Sequence, residues 1–370
     1  MNLDTHEIIK LIEGPQQPNR QGYDGLTIPQ IMARHSVPGL SVAVIKDFQL
    51  HWAKGYGQAD ALAGTNVSTE TLFQAASISK PVNVMAVLKA VQEGVFSLDD
   101  DVNSLLKSFR LPDNPYSNIP ITARMLASHT SGLGDGFGFP GYEPGKPLPT
   151  IADIITGHSL SNVAKPEFSR TPFEAFKYSG AGSVILQQLL IDIMGEIYPE
   201  ILQKSVLGPL KMCDSYFEQP LDSARDLNAA RAHGSSGEAL DVKWRVYPEL
   251  AAAGLWTTPT DLAKFVIEVQ KSILGTSNTV LDQAHAQSMV NPVGVGDYGL
   301  GFRILKEGQG WFFEHGGGNW GFRCRLFAHK LKGYGFVMMT NANQGTAVVS
   351  AVKERIETLY NWDSIAKPAI

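Results

Sequence analysis

At 370 residues the chain is long enough to bury a substantial core, as two domains or one large composite domain. Its 44% hydrophobic and 18% charged residues are globular values, and a net charge of −5 without a long basic run argues against nucleic acid as the main partner. Cys213 and Cys324 lie far apart and lack metal-ligand spacing, so neither a disulfide framework nor a zinc site is expected, and no cofactor is implied.

The first residues lack a basic run and an apolar stretch behind it, and no apolar run approaches membrane-spanning length. The expectation is a soluble, cytoplasmic chain without membrane contacts, or a periplasmic one if a signal peptide has been removed. Residues 3–12 read as a short amphipathic helix capped by Asp4 or Thr5, followed by a polar, Gly/Pro-rich loop to Gly25. A second helix is expected over 28–34, then a hairpin of 40–45 and 49–57 turning at Lys46-Asp47.

The most apolar helix candidate follows, over 82–93. Only Asn83 and Lys89 are polar between 82 and 91, so this helix should be buried nearly all round as the post of its domain. Further on, short helices are expected near 98–107 and 122–127, and residues 133–170, rich in Gly134, Gly136, Gly138 and Pro140, read as a long surface loop. Helical spacing returns over 184–194 and 199–207, and the run 258–261 caps a helix over 262–273. Strand signals reappear at 299–305, 311–314, 323–329 and 335–340, before a last helix over 347–360. The economical packing is an α+β fold: one antiparallel sheet built from both chain ends and flanked by helices, with a mainly α-helical insertion. The expected division is 1–65 plus 296–370 for the sheet domain and 66–295 for the helical one, with the active site between them.

Three stretches carry chemistry. Ala76-Ser77-Ile78-Ser79-Lys80-Pro81 places a serine and a lysine three residues apart at a helix start, on one face, so the amine can take the serine proton. The pattern alone is weak: Ser-x-x-Lys recurs at Ser104/Lys107, Ser350/Lys353 and Ser364/Lys367, and Ser77 or Ser79 could equally serve as a helix cap. Tyr178, in a turn of small residues before a helix, is either a general base, its anion stabilised by a nearby ammonium, or a packed ring. In Glu314-His315-Gly316-Gly317-Gly318-Asn319-Trp320 the three glycines either let a backbone approach a ligand closely or form a bulge with His315 exposed.

Taken in order, Ser77-Ile78-Ser79-Lys80, Tyr178-Ser179-Gly180 and His315-Gly316-Gly317 resemble the three motifs of the serine β-lactamase and penicillin-binding-protein superfamily. The branch most similar is the one related to class C β-lactamases, with family VIII carboxylesterases and D-aminopeptidases. Residues 128–133 and 254–262 also resemble stretches of that branch. The resemblance implies Ser77 as acylated nucleophile, Lys80 as its partner and Tyr178 as base. It further implies His315 where many members have lysine, and the N–H groups of Ser77 and Gly318 as oxyanion hole. Gly180, Gly316, Gly317 and Trp320 would border the substrate, with Phe322 and Trp256 as further aromatic surface.

Two positions depart from the pattern: Gly180 stands where an asparagine is common, and His315-Gly316 where Lys-Thr is common. Both weaken the grip on a β-lactam more than they weaken acyl transfer. The expected function is therefore a serine hydrolase acting through an acyl-enzyme on small ester or amide substrates. The alternatives are a D-amino-acid peptidase or amidase, a weak β-lactamase, or a non-catalytic sensor of the same fold. A homo-oligomer is left open.

Overall fold

Among the described residues nine strands follow in chain order: β1 Gly39–Lys46, β2 Gln49–Asp60, β3 Thr65–Asn66, β4 Phe73–Gln74, β5 Trp256–Thr257, β6 Arg303–Glu307, β7 Gly310–Asn319, β8 Phe322–His329 and β9 Gly335–Thr340. The computed structural model describes residues 4–17, 22, 24–134 and 138–365. Leu3, Gly136 and Lys367, each part of an expectation above, lie outside them. Seven strands form one antiparallel sheet in the order β3-β2-β1-β9-β8-β7-β6, so the two ends of the chain meet where β1 pairs with β9. The small β4-β5 pair, too short to show a pattern in sequence, sits apart.

β1 is buried on both faces, which is why its sequence reads as a nearly unbroken apolar run. Leu40, Val42 and Val44 point to the outer face, where helices Thr5–Glu13, Ile28–Arg34 and Gly345–Tyr360 add Ile8, Ile31, Val348 and Val352. Ala43 and Ile45 point inward, into a larger core shared with the helices of the chain middle. The apolar helix spans Ser79–Gln92 and is buried almost all round, as its composition requires. It begins three residues before the expected position because Pro81 sits in the first turn, where a missing N–H breaks no intrahelical bond. No helix among the described residues is long and apolar enough to cross a membrane.

Other boundaries shift for local reasons. Helix Gly180–Met194 starts four residues early because the Ser179 hydroxyl accepts the Gly182 N–H at 3.0 Å and caps it. The stretch 133–170 is not all loop. It holds helix Ile151–Thr156, opened by a Thr150/Asp153 capping box and closed by Gly157 in the left-handed region. β7 continues through Gly316, Gly317 and Gly318 in unbroken register with β8, so the glycines form neither a bulge nor a turn. The strand expected at 299–305 begins only at Arg303, because Gly301 turns the chain with φ 94°.

One buried group makes a stability prediction. Glu249 is wholly enclosed, its carboxylate has no partner on any other described residue, and burial pushes its carboxyl up to about 8. The folded chain therefore holds a proton that the unfolded chain releases near its ordinary range, so stability should fall as pH rises from about 4.5 to 8. The lost stabilisation is of the order of 5 kcal/mol at most. Glu249→Gln should flatten that slope in thermal unfolding followed across pH 5–8; an unchanged slope would show that the carboxyl ionises in the folded state.

Candidate active site

Ser77 lies in a single 3₁₀ turn, Ala76–Ile78, directly before the apolar helix. Neither it nor Ser79 caps that helix through its side chain. Ala76 is held at φ 49°, a left-handed conformation that strains a buried alanine by about 1–3 kcal/mol. The two serines part here. Ser79 is sealed, its hydroxyl donating to the Ala76 carbonyl at 2.6 Å and accepting the Leu255 N–H at 3.0 Å. Ser77 remains accessible from a cleft of about 510 Å³.

Lys80, one turn on, is buried and donates from Nζ to Ser77 Oγ at 3.2 Å and to the Ala252 carbonyl at 2.8 Å. The same ammonium stands 4.9 Å from the centre of the Tyr178 ring. Ala252 belongs to the short helix Leu250–Ala253, which Gln187 ties to helix Gly180–Met194 by accepting the Ala251 N–H at 2.9 Å and donating to the Pro248 carbonyl at 3.1 Å. Three segments far apart in sequence thus converge on one amine. The Ser104/Lys107 and Ser350/Lys353 pairs do not assemble such a site: the Ser104 hydroxyl is tied to the Asp101 carbonyl, and Lys353 pairs with Glu307 and Glu357.

From the sheet side, β7 supplies His315, which is buried rather than exposed. Its Nδ1 donates to the Gly316 carbonyl at 2.6 Å, leaving Nε2 as an acceptor without a partner among the described residues. Burial, then the nearby Lys80 ammonium, push its pKa down to about 3, so the ring stays neutral. The ring centre lies 6.1 Å from that of Tyr178.

Strand alternation sends Gly317 to the same face as His315 and Gly316 and Gly318 to the other. A side chain at 317 has no room: its Cβ would sit 2.3 Å from both the Ala75 carbonyl oxygen and Cys324 Sγ. Cys324 donates its thiol to that same oxygen at 2.9 Å, and burial pushes its pKa well up, which keeps it a neutral packing group. The missing side chain is what lets β7 lie against the segment carrying Ser77, with Gly318 beside it in the cleft.

The aromatic surface of the cleft differs from the expected one. Trp256 and Phe322 are wholly buried and pack edge to face at 5.9 Å, in the core rather than the cleft. Trp320, half-buried beneath the Arg245 guanidinium at 4.5 Å, stands at the β7–β8 turn and does not line the cleft. Gly180 is enclosed as the first residue of its helix, whereas Gly316 lines the cleft with its backbone, as a side chain there would leave on the opposite sheet face. The walls come instead from Tyr178, Phe176 and Tyr298, the last two stacked at 5.3 Å. Asp297 and Arg303, both about half exposed and paired at 2.8 Å, stand at the mouth with Glu314. Arg303 lies in the stretch 299–305 read as strand and Tyr298 directly before it, where alternation gave no hint that they face a cleft.

A somewhat larger groove, about 700 Å³ between Trp311, His329 and Leu331, lacks any serine, cysteine or tyrosine in its lining. Among the described residues, the hydroxyl, amine and phenol meet only at Ser77.

The Beta-lactamase family profile matches residues 26–359. Protein flp of Staphylococcus aureus (strain N315) is 24% identical over 316 residues, covering 83% of this chain and 60% of flp. The chain therefore spans about 60% of the length of that relative. The octameric penicillin-binding protein homologue from Pyrococcus abyssi is similar in structure, with TM-score 0.74 and 24% identity over 91% of this chain and 76% of the other. The D-amino acid amidase from Ochrobactrum anthropi SV3 gives TM-score 0.70 and 20% identity over 95% of this chain and 99% of the amidase. At these identities the two structures speak for a shared fold.

Proposed function

Because the chain belongs to the beta-lactamase family, we propose that it is a serine hydrolase that turns over small esters, and less readily amides, through an acyl-enzyme at Ser77. The observation that carries this reading is the reach of one buried amine to the Ser77 hydroxyl at 3.2 Å with the Tyr178 ring beside it. Tyr178, as the phenolate stabilised by the Lys80 ammonium, takes the Ser77 proton as Oγ attacks the acyl carbon, and the resulting phenol passes that proton to the leaving group. Water, deprotonated by the regenerated phenolate, then attacks the acyl carbon, and the proton returns to Ser77 Oγ as the acid leaves. Lys80 holds the hydroxyl in place, and the N–H groups of Ser77 and Gly318 receive the oxyanion. In this reading, 1–65 with 296–370 and 66–295 act as two lobes with the cleft between them.

The ester preference rests on what the cleft offers a substrate. Aromatic walls bury acyl methylenes at about 0.8 kcal/mol each. A carboxylate meets a neutral His315, and Arg303 is already engaged by Asp297 and Glu314. A missing charged contact is worth roughly 1.5–3 kcal/mol, or about 10- to 100-fold. After each rate is normalised to spontaneous hydrolysis, kcat/KM for p-nitrophenyl butyrate should exceed that for a chromogenic cephalosporin by at least this margin. Equal values would overturn the ester preference, and D-amino acid amides form the third substrate to compare. For the mechanism itself, intact mass after exposure to a fluorophosphonate should show one label, located at Ser77 and absent from Ser77→Ala. Labelling of another serine would remove the assignment.

A further inference from the structure

His129 was passed over by the chemistry above, yet it brackets Tyr178 on three sides. Its carbonyl accepts the Lys177 N–H at 2.9 Å and its Nδ1 accepts the Ser179 N–H at 3.1 Å, so the residues before and after Tyr178 are each tied to it. Its ring lies against the Tyr178 ring at 4.5 Å between centres, tilted by 35°. Tyr298 closes on the other edge at 4.9 Å and Phe176 at 5.9 Å, both nearly perpendicular.

This geometry requires an unusual residue. His129 sits in the left-handed region at φ 59°, which turns its backbone and its ring toward the same neighbour. The segment is anchored on both sides: the Ser128 and Thr130 hydroxyls bond each other at 2.9 Å, and the Thr130 carbonyl accepts the Phe173 N–H at 2.8 Å. Because Nδ1 accepts an N–H, the ring proton resides on Nε2. The ionisable groups around the ring are Lys80, His315, Tyr178 and Tyr298, and burial, then the Lys80 ammonium, hold its pKa well below the ordinary range. A neutral acceptor at Nδ1 is therefore maintained. The side chain is buried and does not line the cleft, so it acts on Tyr178 and not on substrate.

We propose that His129 is the positioning residue of the Tyr178 phenol, fixing its ring through the Ser179 N–H and by direct packing. The proposal rests on the reading of Tyr178 as the base. Misplacing a catalytic group by about 1 Å can lower turnover about 10²-fold. His129→Ala should accordingly lower kcat for p-nitrophenyl butyrate by roughly 10- to 100-fold with little change in KM, and slow Ser77 phosphonylation in parallel. His129→Asn, which tolerates the left-handed backbone and can still accept an N–H, should recover part of the loss.

The deciding measurement is a cycle with Tyr178→Phe. If His129 works through the phenol, its replacement should change kcat less than about threefold once that phenol is gone. An equal loss in both backgrounds would show a merely structural role and overturn the proposal. If His129→Ala does not fold cooperatively, His129→Asn carries the same cycle, and equal losses overturn it there too. A Tyr178→Phe enzyme with near-full activity would instead remove the base assignment, and this proposal with it.

Discussion

Replacing Lys80 with Ala, or Tyr178 with Phe, is expected to lower kcat for ester hydrolysis by at least about 10²-fold, as for loss of a general base or its partner. The two residues meet at one hydroxyl: Lys80 Nζ is 3.2 Å from Ser77 Oγ and 4.9 Å from the centre of the Tyr178 ring. Groups that serve a single proton transfer do not contribute independently. The double variant should therefore lose far less than the product of the two single losses. KM should move little, because neither group is assigned to hold the acyl chain. If Tyr178→Phe keeps near-full turnover, the proton must go elsewhere. His315 Nε2, buried and without a partner among the described residues, would then be the group to replace.

Gly317→Ala is expected to be the most damaging single methyl group that can be added near the site. Its Cβ would fall 2.3 Å from the Ala75 carbonyl oxygen and 2.3 Å from Cys324 Sγ, distances at which something must move. Backbone cannot yield cheaply there, since the Ala75 N–H is bound by the Leu255 carbonyl at 2.8 Å and its carbonyl by Cys324 at 2.9 Å. β7 must shift away from the Ser77 turn, taking the Gly318 N–H with it. Overpacking of this kind destabilises by about 1–3 kcal/mol. Loss of one oxyanion donor lowers kcat by about 10²–10³-fold. Gly316→Ala is the control. The Cβ there comes no closer than 3.9 Å to a neighbour, so unfolding temperature and kcat should stay near those of the parent. Equal behaviour of the two variants would show that the close approach of β7 is not what places the proposed oxyanion donor.

Much of the architecture was legible because it is written in local patterns. The apolar run of 82–91 could only be a helix buried all round, and helix Ile28–Arg34 and strand β9 fall where their periodicity placed them. Caps were the weaker signal. Thr150 and Asp153 form a capping box inside a stretch whose glycines and prolines read as loop, and Ser179 starts its helix four residues before apolar spacing becomes visible.

The sequence by itself determined the order of Ser77, Lys80, Tyr178 and His315, and the resemblance of their three stretches to a family's motifs marked them as candidates, whereas residue type and spacing alone left each open to a structural reading. It also determined a sheet drawn from both chain ends, since strand patterns occur only there. Tertiary structure alone decided which aromatic rings face the cleft: Trp256 and Phe322 went to the core, while Phe176 and Tyr298 became walls. It decided as well that His129 would embrace Tyr178, and that of three consecutive glycines Gly317 is the one that must lack a side chain. The physical reason is the same in each case. Whether a side chain meets solvent, a ring or a backbone depends on contacts between segments fifty to two hundred and fifty residues apart, as between His129 and Ser179 or Ala75 and Cys324, and local periodicity carries no record of such partners.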